Sequence, residues 1–258
     1  MRFVAIGDSF TEGVGDERPD GTPRGWSDLT AQALAAEAAR TAAAPVQYAN
    51  LAIRGRLMNP IVGEQLPAGL ALEPDLLTFN GGGNDVMRPG RAGDLIARLT
   101  AQTETAIRAC AEAGVRIVVV SGADPSDHLP LGSVIRRRCQ LFSVEVARLC
   151  ERYSVAYCDN FADVEMRRSA YWSPDRLHLN AAGHRRVAAR LLDVLGVPAP
   201  AGWGEDLPGT DPRRRLGENA RYYQQFVLPW VQRRVGGRSS GDGREPKHAA
   251  WFEVADER

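Results

Sequence analysis

Five short apolar runs, separated by long helical patterns, govern what this 258-residue chain can fold into. They cover residues 3–6, 46–51, 76–79, 115–120 and 155–158. Most are nearly continuous in Val, Ile, Leu, Phe and Ala rather than alternating, the pattern of strands buried on both faces. Between them, residues 26–41, 92–113 and 133–153 carry apolar side chains at helical spacing. In the second of these, Leu95, Leu99, Ala106 and Ile107 form the buried stripe, and Gly114 follows where a left-handed cap is wanted. A last helix is expected over 181–195. Strand and helix in alternation predict a three-layer α/β/α sandwich around a five-stranded parallel sheet, flavodoxin-like in strand order.

Residues 1–196 hold this whole pattern, and the composition changes after them. Val197-Pro-Ala-Pro-Ala-Gly-Trp reads as a surface linker. A helix is expected over 218–234, with Tyr222, Tyr223, Phe226, Val227, Trp230 and Val231 on its apolar face. The final stretch is rich in Gly, Ser and charge, as a loose tail is, but Trp251 and Phe252 point to its end packing back on the domain. Residues 197–258 are therefore read as a C-terminal extension.

The 32 Lys and Arg balance 32 Asp and Glu, so no overall field favours nucleic acid or an anionic membrane. No run approaches the ~18 apolar residues of a membrane span. The N-terminus leads straight into the first strand with no secretory pattern, from which a cytoplasmic protein is expected. Cys110, Cys139, Cys150 and Cys158 show neither CxxC pairs nor zinc-type spacing with the four histidines, and are read as buried thiols.

The chemistry concentrates at the predicted strand ends, where open α/β sheets carry their crevice. Gly7-Asp8-Ser9-Phe10 follows the first strand. Ser9 could cap a helix there, or the glycines could cradle a phosphate, but residues 7–17 match no phosphate-binding pattern. As a nucleophile Ser9 needs a base. Ser173-Pro-Asp-Arg-Leu-His offers one, since Asp175 and His178 stand three apart on a loop and one turn brings the carboxylate to the imidazole. Donors for an oxyanion stand at the next two strand ends: the backbone N–H of Gly55, with no side chain in the way, and the side-chain amide of Asn84 after a triple glycine.

Taken together, GDSF at 7–10, Gly55 in NLAIRG, GGNDV at 82–86 and DRLH at 175–178 resemble the four sequence blocks of the SGNH hydrolases, the GDSL-type esterases and lipases. The resemblance spans residues 1 to about 195, in the family's order, with Phe10 where leucine is commonest. It implies an esterase in which Ser9 is the nucleophile, Asp175 and His178 the orienter and base, and the Ser9 N–H, Gly55 and Asn84 the oxyanion donors. Asp8 and Asp85 would be supporting residues. The resemblance implies a small-molecule ester as substrate, with no metal or cofactor, and the lack of a long hydrophobic lid favours a short acyl chain. Acyl transfer by the same triad, and a non-catalytic module binding a nucleotide or carbohydrate, are the alternatives.

Other residues near the blocks have plainer readings. His184 falls inside the last helix and is expected to be structural. His128 is expected to be a solvated loop histidine beside the crevice. Arg54 and Arg56 flank Gly55 and could meet an anionic substrate or lie on the surface, and Arg136–Arg138 open a helix in solvent.

Overall fold

A computed structural model describes residues 1–211, 221–229, 232, 236 and 239–255. Its strands are β1 (Arg2–Ile6), β2 (Gln47–Asn50), β3 (Leu76–Phe79), β4 (Arg116–Val120), β5 (Ala156–Cys158) and β6 (His248–Glu253). The helices are α1 (Ser9–Glu12), α2 (Trp26–Arg40), α3 (Met58–Pro60), α4 (Leu66–Ala71), α5 (Gly83–Val86), α6 (Ala92–Glu112), α7 (Gly132–Tyr153) and α8 (Ala181–Leu195).

The sheet order is β5-β4-β3-β1-β2-β6. Strands β1 to β5 pair in parallel, in the expected flavodoxin-like order, while β6 runs antiparallel to β2. The sheet therefore has six strands rather than five. The sixth comes from the glycine- and charge-rich tail, which is structured there because its backbone completes the β2 edge.

Side chains alternate across the sheet even within the continuous apolar runs. Phe3 and Ala5 of β1 join a cluster with Trp26, Leu34, Val187 and Leu191 under α2 and α8. Val4 and Ile6 join the opposite cluster with Leu99, Ile107, Val146 and Leu149 under α6 and α7. Two cores, one per face, fix the strand ends rigidly, which is what a site built on those ends requires.

Trp251 and Phe252 do pack back: Trp251 lies against the second core, and the Phe252 ring meets Tyr48 edge-on at 5.6 Å. Of the helix expected over 218–234, residues 221–229 are described and helical, with a wider π-type turn over Tyr223–Val227. Trp230 and Val231 lie outside the described residues. Among the described residues, no helix is long and apolar enough to cross a membrane.

Candidate active site

Chain direction brings the C-terminal ends of β1, β2 and β3 to one edge, and the loop before α8 folds over it. Gly7 ends β1, and its peptide is gripped by one side chain: Gln65 Oε1 accepts from Gly7 N (2.8 Å) and Gln65 Nε2 donates to Gly7 O (3.0 Å). Asp8 then caps α1, its Oδ1 accepting from Phe10 N at 3.1 Å. Ser9 is the first residue of α1. The chain leaves α1 through Gly13, and a buried network secures that helix, with Asn50 Nδ2 donating to Thr11 O (3.0 Å) and Ser27 Oγ donating to the same carbonyl (2.9 Å).

The loop carrying Asp175 and His178 is closed by Ser173 N donating to His178 O (2.8 Å) and by a bridge between Trp172 and Leu179. Arg176 turns the chain with φ of 60°. Asp175 Oδ1 collects three donors: Ser173 Oγ at 2.6 Å and the backbone N–H groups of Leu177 and His178, each at 3.0 Å. Its Oδ2 meets His178 Nδ1 at 2.5 Å. Burial alone would raise the Asp175 carboxyl, but the His178 ring and backbone and the Ser173 hydroxyl outweigh it and hold the group well below the usual carboxylate range. An ionised Asp175 places the ring proton on Nδ1, leaving Nε2 as the acceptor for Ser9 Oγ, 3.0 Å away. Ser9, His178 and Asp175 form one continuous chain of hydrogen bonds.

Asn84 comes to the same place, but its amide is engaged. Nδ2 donates to Asp8 Oδ2 (3.0 Å) and to Arg56 O (3.1 Å). Gly55, next to Arg56 in the loop after β2, has φ of 75° and stands beside this contact. Asp85 is buried and holds the loop after β2 and α6, its Oδ2 accepting from Met58 N at 2.9 Å and its Oδ1 from Arg98 at 3.2 Å.

His184 is fully buried, with Nδ1 accepting from Trp26 N (3.2 Å) and Nε2 facing Val14 O (3.3 Å). Burial lowers it to about 4, so it stays neutral and ties the segment after α1 to α2 and α8. His128 is buried against the Trp172 ring at 5.7 Å rather than solvated. Arg54 pairs with Glu12 (2.5 Å) and Arg56 with Glu64 (3.7 Å), so neither faces the cavity as an anion receptor. Arg138 is not in solvent either: it donates to the carbonyls of Val86, Arg88 and Gly90 and holds the loop between α5 and α6.

A cavity of about 140 Å³ opens at Ser9, Asn84 and His178. It runs over the ends of β3 and β4 toward β5, walled by Ile135, Cys139, Phe142 and Val146 of α7. Tyr157 of β5 and Ser143 line it as well, their hydroxyls 3.0 Å apart. Cys139 is only half-buried, unlike the other three cysteines, and desolvation pushes its thiol up to about 12, so it is a neutral wall.

Residues 5–186 match the model of the GDSL-like lipase/acylhydrolase family. The chain belongs to that family, and with it to the carboxylic ester hydrolases. Solved structures with the same fold include TesA (21% identity, 76% of this chain and 98% of that one, TM-score 0.60). The lipase Lip_vut3 from a goat rumen metagenome superposes with a TM-score of 0.63 at 16% identity, covering 80% of this chain and 100% of its own. Axe2, an acetylxylan esterase from Geobacillus stearothermophilus, does so with a TM-score of 0.60 at 18% identity, covering 78% and 96%. No curated protein sequence matches the chain.

Gln65 was not expected from the sequence, nor was the network in which Tyr48 OH donates to Ser27 Oγ (2.8 Å) and Asn50 Nδ2 donates to both hydroxyls (2.9 and 3.0 Å). A lone glutamine in an irregular turn carries no signal of its partner 58 residues away.

Proposed function

We propose that the protein hydrolyses carboxylic esters of short acyl chains through an acyl-enzyme on Ser9. The observation that carries this reading is the hydrogen-bonded chain from Ser9 Oγ through His178 to Asp175, at 3.0 and 2.5 Å. His178 Nε2 takes the Ser9 proton as Oγ attacks the acyl carbonyl. Asp175 keeps Nδ1 as the donor and stabilises the imidazolium. The backbone N–H groups of Ser9 and Gly55 and the Asn84 amide hold the oxyanion, a donor of this kind contributing ~3–4 kcal/mol. Asn84 reaches it by exchanging its bond to Asp8 or to Arg56 O. Collapse of the tetrahedral species breaks the ester C–O bond, and His178 returns the proton to the leaving alcohol. Water, deprotonated by the same ring, then cleaves the acyl-enzyme and restores Ser9.

The acyl group occupies the cavity beside Ser9. Its volume of about 140 Å³ matches one filled by a six-carbon ring, which supports short chains over long lipid tails. A small-molecule ester is the partner. Residues 1–196 carry the machinery and 197–258 extend it. A reducing cytoplasm fits the four free thiols.

Intact-mass analysis after treatment with a fluorophosphonate tests the assignment. One adduct is expected on the wild type and none on Ser9→Ala. No adduct on the wild type, or an adduct that persists in Ser9→Ala, overturns it.

A further inference from the structure

The C-terminal extension lies outside the family match of residues 5–186, yet it touches three of the four segments that carry the site. The first contact is at Gly55. Ser239 Oγ donates to Gly55 O at 3.2 Å. A Cβ built on Gly55 would fall on Ser239 Oγ and crowd Ser240 Oγ, so the hydroxyls of the extension occupy the space a side chain would need. Gly241 packs equally closely on the preceding carbonyl: a Cβ there would fall on Arg54 O. Gly55 is thus required for its left-handed backbone and for the close approach of this turn.

The second contact is at the nucleophile helix. Lys247 Nζ is buried, donating to Glu12 O (2.5 Å), Pro23 O (3.1 Å) and Asp28 Oδ2 (2.6 Å). Glu12 in turn accepts from Arg54, through its backbone N–H at 2.6 Å and its guanidinium at 2.5–2.8 Å. The end of α1, the residue before Gly55 and the extension are therefore one network. The third contact is at the base: the Tyr222 ring lies under the Arg176 guanidinium at 4.0 Å, one residue from Asp175.

We propose that the extension is a brace of the reacting groups, with Ser239 and Gly241 the positioning residues of the oxyanion glycine. Gly241 bears on the Arg54–Gly55 peptide and Ser239 on the Gly55–Arg56 peptide, and together they fix the Gly55 N–H relative to Ser9. The inference rests on the proposed role of Gly55. It makes the extension part of the enzyme's rate rather than an appendage, because an oxyanion donor acts only when held in place before the charge develops.

The test uses full-length protein carrying Ser239→Ala, Ser239→Thr, Gly241→Val or Tyr222→Leu. For each, kcat and KM on p-nitrophenyl butyrate, the rate of phosphonylation by the fluorophosphonate and the thermal midpoint are measured. Gly241 has an ordinary backbone conformation, so valine acts there by sterics alone, pushing the turn off Arg54 O and the neighbouring Ile53 side chain. Gly241→Val and Ser239→Ala are expected to lower kcat and the phosphonylation rate about tenfold, with KM within about twofold. The thermal midpoint of Ser239→Ala should stay near that of the wild type, while Gly241→Val, which loses stability to its clash, is assayed well below its own midpoint. Ser239→Thr, which keeps the hydroxyl, should restore the rate. Tyr222→Leu should lower kcat by a smaller factor. If Gly241→Val and Ser239→Ala react at the wild-type rate, or lose rate only in step with the folded fraction, the brace is overturned. A wild type that does not react at all overturns ester hydrolysis itself, and the brace with it.

Discussion

Asp8 stands one residue before the nucleophile, almost wholly buried, with Phe10 N and the Asn84 amide as its donors. Desolvation dominates its titration, opposed by the Phe10 N–H and the His178 ring, and raises it from 3.8 to about 6. The folded protein therefore holds the Asp8 proton more tightly than the unfolded chain does. Stability from this group is complete below pH 3.8 and is lost as pH rises through 6. The two-unit displacement corresponds to about 3 kcal/mol in all. Asp8→Asn has no such titration. Between pH 7.5 and pH 5 the wild type should gain on the order of 1 kcal/mol of unfolding free energy over that variant. Urea unfolding of both proteins at the two pH values checks this, and a constant difference would refute it. Only the four-block resemblance set Ser9 beside Asp175 and His178 in the sequence, because Ser9 and His178 stand 169 residues apart; the hydrogen bonds join the same three side chains. The sequence did not reveal that Asn84 donates to Asp8, since hydrogen-bond partners 76 residues apart leave no local pattern.

At the scale of elements, α7 does more than cover the sheet. Phe142 presses on the loop after β3 at Gly82, whose φ of 90° and lack of a side chain admit the ring edge. That contact walls the cavity beside Ser9. Phe142→Ala should lengthen the pocket and raise kcat/KM for p-nitrophenyl decanoate relative to the butyrate by about tenfold. The half-buried ring would cost about 2 kcal/mol of stability on removal. Rates across a series of p-nitrophenyl esters give the comparison, and an unshifted preference would place the acyl group elsewhere. Strands β1 to β5 and the long helices α2, α6, α7 and α8 were legible within one or two residues, since continuous apolar runs and 3.6-residue spacing are direct consequences of two-faced burial, whereas the short helices α1, α3, α4 and α5 carry too few turns to show a period. The cavity was not legible, because it arises where side chains from seven elements and the loops between them fail to fill space.

At the scale of the molecule, β6 is what the sequence concealed most. Its six residues are largely exposed and alternate only weakly, because an antiparallel edge strand with one open side needs little apolar area. Five of the six strands were legible from burial, whereas the sixth follows from backbone pairing, which composition does not encode. Its role is to close the β2 edge. Gln47 pairs with Glu253 and Tyr48 with Phe252, and the His248 and Phe252 rings, 4.3 Å apart, both lie against Tyr48. A chain ending at Lys247 would leave β2 with unpaired N–H and C=O groups and the buried Tyr48 ring uncovered. Open edges of this kind template association between copies. The loss of ring burial and strand pairing should remove roughly 2–3 kcal/mol, lowering the thermal midpoint by about 5–10 °C for a chain of this size. Thermal unfolding and light scattering of the truncated and full-length proteins at equal concentration measure both effects. A truncated protein that melts with the full-length chain and scatters no more would show that β2 tolerates an open edge, and that β6 is held by the sheet without supporting it.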